Sequence, residues 1–245
     1  MDVHVEPQGW EAEAAEIQCL LTDVVQQFLR HFAEPPTGRI RVQFRADGPP
    51  MILFRSSPSD DYRILLNTRD RLWSQFAYQF AHEFCHILCD SERRGCSCSQ
   101  WIHESLCEMA SLFALKRMAI SWQTDPPYPS WREYAPRLDA YADEFIAHSE
   151  HRLPERVTLG EWLRMDEPNL RANSCQRSMN GLIAVQLLPL FQASPQQWQS
   201  IRYMPDSNKT FDEFVAEWRR TCPDEHKAFV LQLADLFGIK IAKEI

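Results

Sequence analysis

The chain has 245 residues, 44% of them hydrophobic and 24% charged, with a formal net charge of −8. That is apolar material for a sizeable core, while the acidic balance, with no dense run of Lys or Arg, lacks the electrostatic footprint of a nucleic-acid binder. No apolar run approaches the roughly 20 residues that span a bilayer.

The opening MDVHVEPQGWEAEAAE is acidic, unlike the basic and then apolar start of a secretory signal. Without such a signal, eight cysteines in a chain of this length read as free thiols in a reducing compartment, which points to the cytoplasm.

In chain order, Ile17, Leu20, Leu21, Val24, Val25, Phe28, Leu29 and Phe32 recur at helical spacing, so residues 10–33 read as an amphipathic first helix stopped by Pro35 and Pro36. RIRVQF (39–44), MILFR (51–55) and YRILLN (62–67) carry strand chemistry between Gly, Pro, Ser and Asp clusters and predict a small sheet. A helical period then runs from Leu72 to Asp90 and resumes from Ile102 to about Ile120, across the polar segment CDSERRGCSCSQ. The prolines of TDPPYPS (124–130) deny helix and sheet hydrogen bonds and mark a boundary between residues 1–123 and 124–245. Beyond it the chain reads as helices over 131–148, 158–164, 174–192, 209–220 and 224–237, the last ending at Gly238.

The stretch FAYQFAHEFCHILCD places His82, Glu83 and His86 in an H-E-x-x-H pattern on a predicted helix. Residues four apart lie about 40° apart around a helix axis, so the two imidazoles share a face and can share one ion. Projection puts Trp73, Phe76, Phe80, Phe84, Ile87 and Leu88 on one apolar arc, with Gln75, Gln79, His82 and His86 opposite. The bland alternative is a boundary helix with two solvated histidines. A catalytic zinc usually keeps three protein ligands and an open position for water. The following helix, WIHESLCEMASLFAL, supplies Glu104 and Glu108 one turn apart, with Leu106, Met109, Ala110 and Phe113 opposite.

Over roughly residues 60–115 these motifs resemble the gluzincin branch of the zincin metallopeptidases, in which H-E-x-x-H is followed by a helical Glu ligand and, four residues later, by a supporting acid. The resemblance implies His82, His86 and Glu104 as metal ligands for Zn2+, Glu83 as the base that activates a zinc-bound water, and Glu108 as an acid fixing a histidine's tautomer. His103 stands where Asn is often found, and Glu108 where the supporting acid is usually Asp. It also likens YRILLN to the zincin edge strand that pairs with an extended substrate.

Rivals exist for these roles. His103 competes with Glu104 as third ligand, although its ring points about 100° away on the same helix. Cys85 and Cys89 project near the histidine face, and Cys96 and Cys98 lie in the connecting loop; thiolates bind zinc tightly, but buried or merely free thiols are the commoner state. Tyr134, Tyr141, His148, His151 and Arg177 are candidate oxyanion stabilisers, with nothing to choose among them.

The expectation is an α+β protein: a zincin-like core of an N-terminal helix, a small mixed sheet and two metal-bearing helices, followed by a mainly helical C-terminal half. Its expected function is zinc-dependent hydrolysis of peptide bonds in a peptide or protein substrate, without nucleic-acid or membrane partners. The alternative is a non-catalytic regulatory or protein-binding module whose metal site is structural or vestigial.

Overall fold

The structure is a computed structural model describing residues 1–57, 59–89, 100–206 and 209–241. The chain is α+β and divides into two compact units, one from residues 1–88 and 110–145, the other from 89–109 and 146–245.

The first unit is built on a four-stranded mixed sheet of β1 (Asp2–Val5), β2 (Arg39–Phe44), β3 (Met51–Leu53) and β4 (Tyr62–Leu66), in the order β1-β2-β4-β3. β1 and β2 are parallel, as are β2 and β4, whereas β3 runs antiparallel to β4. A parallel pair needs a long crossover, and α1 (Ala14–Leu29) provides it between β1 and β2. Burial alternates along the strands, so Val3, Val5, Ile40, Val42, Tyr62, Ile64 and Leu66 are buried while Arg39, Arg41 and Arg63 face solvent.

Two sequence expectations change here. The N-terminal helix is preceded by β1, whose DVHV offers only two apolar positions and so too short an alternation to stand out. YRILLN is not an edge strand: β4 pairs on both sides, Ile64 standing opposite Val42 of β2 and Ile52 of β3, and the strand beyond it is β3. The alternating burial of Tyr62, Ile64 and Leu66 suits that interior place.

Helix α2 (Trp73–Leu88) packs on α1 and near β4, and α3 (Gln100–Ser121) is one continuous helix. Within the first unit Phe28 of α1 is the centre of a cluster, its ring 5.9 Å from that of Phe84 on α2 and 5.5 Å from that of Phe113 on α3. Residues 124–130 lie inside this unit and lead into a 3-10 turn, Pro129–Tyr134, whose Trp131 ring sits 5.2 Å from Trp73 and 5.1 Å from Trp122. Helix α4 (Ala135–Ala147) follows, held to α3 by Lys116, which bonds Asp139 at 2.7 Å and Asp143 at 2.6 Å.

The second unit carries the start of α3 together with α5 (Leu159–Ala172), α6 (Arg177–Ala193), α7 (Phe211–Thr221) and α8 (Asp224–Leu236). A 3-10 stretch over Pro195–Tyr203 was not anticipated, since the helical pattern of α6 ends two residues before it. Thr158–Glu161 and Thr210–Glu213 are capping boxes, each satisfying two backbone N–H groups that a helix start leaves open. Aromatic rings fill the core, with Trp101 4.7 Å from Phe211 and Phe191 4.8 Å from Trp198. Among the described residues, no helix is long and apolar enough to cross a membrane.

Candidate metal centre

The H-E-x-x-H segment lies on α2, whose buried side includes Trp73, Phe76, Phe80, Phe84, Ile87 and Leu88. His82 and His86 are half-buried at its margin, so they do not share the fully buried stripe. Gln79, one turn before them, is anchored to the residue after β4: its Nε2 donates to Asn67 Oδ1 at 2.7 Å, and its Oε1 accepts from the Asn67 backbone N–H at 3.3 Å. The sheet thereby fixes the rotation of α2 about its axis.

The His82 and His86 rings stand 5.5 Å apart, inclined at 69°. A ring nitrogen of each and the Cys107 Sγ all lie within 4.8 Å of one another. Within the first unit, Ser111 Oγ donates to the Tyr78 backbone carbonyl at 2.8 Å and ties α3 to α2.

Cys107 was not singled out from the sequence, yet a signal existed. It stands three residues after Glu104 and four after His103, on the same side of the helix as both. Glu104 is half-buried one turn nearer the start of α3, and its carboxylate does not belong to the donor group that includes Cys107. Glu83 and Glu108 are both buried, at 5% and 3% exposure, and His103 is buried at 7%. Cys85 and Cys89 are fully buried, outside the donor group. Cys96 and Cys98 lie outside the described residues.

The oxyanion candidates sit in varied surroundings. Tyr134 is committed to packing, its Oη accepting from the Ser74 backbone N–H at 3.4 Å. The Tyr141 ring lies 5.9 Å from that of Tyr78, one turn before His82. His148 is exposed and its ring is 5.4 Å from that of His151, while Arg177 is exposed at the start of α6. A surface pocket of about 480 Å³ lined by Arg41, Leu53, Arg55, Asp60, Asp61 and Arg63, among others, contains neither histidine of the motif.

The chain shows no significant match to any protein-family model, to any curated protein or to any solved structure.

Proposed function

We propose that this protein is a zinc-dependent hydrolase acting on peptide bonds, with His82 and His86 as metal ligands and Glu83 as general base. The observation that carries the proposal is the pairing of the two imidazoles of an H-E-x-x-H helix, their rings 5.5 Å apart on one side of α2. Two imidazoles and one thiolate or carboxylate form a donor set that zinc accepts, with a fourth position left over. The zincin-like arrangement, with a sheet backing two metal-bearing helices, is part of the same proposal.

A bound zinc ion would supply Lewis acidity, acidifying a water and polarising a carbonyl. The chain's own residues provide the remainder. His82 and His86 hold the ion from one face of α2. Glu83, next in sequence and turned by about 100°, is buried beside that face, where it accepts a proton from the attacking water and returns it to the leaving amine. Glu104, half-buried on α3, is the third ligand that the gluzincin pattern assigns, and Glu108 is the acid that orients an imidazole. A peptide or protein substrate and a reducing, cytoplasmic setting accord with this reading.

The experiment compares peptide hydrolysis by the zinc-loaded protein with that of Glu83→Gln. The proposal expects the variant to keep its metal and lose at least about a hundredfold in turnover; equal turnover would remove Glu83 from the chemistry. A second reading, a non-catalytic regulatory or protein-binding module with a structural or vestigial metal site, expects no hydrolysis in either protein.

A further inference from the structure

We propose that the solvent face of the sheet in the first unit carries a binding site for a small phosphate monoester, its phosphoryl group held between Arg41 and Arg63. The site is independent of the metal centre and follows from the strand register. In the parallel pair of β2 and β4, Arg41 and Arg63 are direct cross-strand partners, so their side chains leave the same face of strands about 4.8 Å apart. Like charges set beside each other in this way oppose folding. Two residues earlier on β2 the same face shows the ordinary arrangement: Arg39 stands opposite Asp2 of β1 and donates to its carboxylate at 3.0 Å. Side-by-side arginines in a chain of net charge −8 concentrate positive charge that folding does not require and that a bound anion neutralises.

Both guanidiniums are oriented by the protein. Arg41 Nε donates to Asp61 Oδ2 at 2.6 Å, and Arg63 Nη2 donates to Gln43 Oε1 at 2.9 Å. A guanidinium carries five N–H donors in a rigid fork. Among the described residues neither arginine makes a further protein hydrogen bond, which leaves the rest of each fork for a tetrahedral oxyanion, the partner that Arg binds in bidentate fashion.

The pocket of about 480 Å³ on this face includes both residues and adds Arg55, whose guanidinium lies 4.1 Å over the Tyr62 ring. Two carboxylates also line it, and both are engaged, Asp61 with Arg41 and Asp60 with the Ser57 backbone N–H at 2.9 Å. Three cations against two carboxylates leave the lining net positive. Half-buried Leu53 and exposed Phe54 form an apolar wall. A volume in the range of small-ligand sites exceeds what bare phosphate fills, and the wall gives a flat apolar group on the ester a surface to lie against.

The test is calorimetric titration of the full-length protein at low ionic strength with phenyl phosphate, and separately with inorganic phosphate. Phenyl phosphate is expected to bind at one saturable site and inorganic phosphate more weakly. Arg41→Gln and Arg63→Gln should each lose at least about tenfold in affinity, whereas Arg39→Gln, whose arginine is already paired, should keep the wild-type value. Because Arg63 belongs to a like-charge pair, Arg63→Gln is expected to melt no lower than the wild type; a lower melting temperature assigns the arginine to folding and overturns the proposal. No saturable binding of phenyl phosphate at millimolar concentration overturns it too, as does binding that Arg63→Gln leaves intact, or an equal loss in Arg39→Gln, the mark of general surface charge. Inorganic phosphate binding as tightly as the ester overturns the assignment of ligand class.

Discussion

The Ser111 hydroxyl donates to the backbone carbonyl of Tyr78 at 2.8 Å, joining α3 to α2 within the first unit. That carbonyl already belongs to the α2 ladder, so the serine adds a bond across the helix pair without leaving a polar group stranded when removed. Ser111→Ala is therefore expected to cost about 1 kcal/mol of folding stability. Denaturant titration measures the effect, and a variant as stable as the wild type would show that the bond adds nothing to the packing of the two helices.

A second tie within the first unit holds α1 to the residue after α3: the Trp122 indole Nε1 donates to Asp23 Oδ2 at 2.7 Å, and Gln27 Nε2 donates to Asp23 Oδ1 at 3.0 Å. Burial pushes the Asp23 carboxyl above its ordinary value, against the hydrogen bonds from Trp122 and Gln27, which pull it down. A raised folded value means that the native state favours the protonated acid more than the unfolded chain does. Its contribution is present below the ordinary carboxylate value and is lost as pH rises through the raised one. Asp23→Asn keeps an acceptor for Trp122 and is expected to flatten this dependence with little loss at neutral pH. Asp23→Ala leaves the indole N–H unpaired and should cost about 1–3 kcal/mol. Unfolding curves across the acidic range would contradict this account if the two variants lost equal stability at pH 7.

His226 behaves with the opposite sign. It is buried in the second unit, its Nδ1 2.8 Å from Gln197 Oε1, and burial lowers its affinity for a proton. The neutral ring favours the native state, so the stability it contributes is present above the ordinary histidine value and is lost as pH falls through the lowered one. His226→Gln is expected to reduce the loss of stability between about pH 7 and pH 4, read from thermal melts. A variant with the wild-type slope over that range would assign the acid lability to another group.

Gly160, in the first turn of α5, is the closest approach of that helix to the chain end: a Cβ there would run into the Phe237 carbonyl oxygen, which is backbone and cannot swing aside. Gly160→Ala would gain helix propensity in isolation, by about 1 kcal/mol, but here it should destabilise by about 1–3 kcal/mol through overpacking. Calorimetry decides, and a raised melting temperature would show that the helix shifts without cost.

Much of the architecture could be read from the residues because local pattern and tertiary environment agree. The apolar period of α1, the alternation in RIRVQF and YRILL, and the stripe of α2 all survive as buried faces. Elsewhere the pattern was silent. β1 has too few residues to alternate visibly, and the order β1-β2-β4-β3 depends on which strands pair, a long-range property that no local window carries. At the candidate metal centre, the H-E-x-x-H spacing shows His82 and His86 as neighbours because a single helix sets their separation. A third donor depends on the register between two helices, which helical projection of either alone does not contain.

The central claim is that α2 carries a metal site, and its most direct measurement is the zinc content of tag-free protein set against His82→Ala and Glu83→Gln. The account predicts about one zinc per chain in the native protein, the same amount in Glu83→Gln, and none in His82→Ala. A native protein that neither contains zinc nor takes it up, or a His82→Ala variant that retains it in full, would contradict the account.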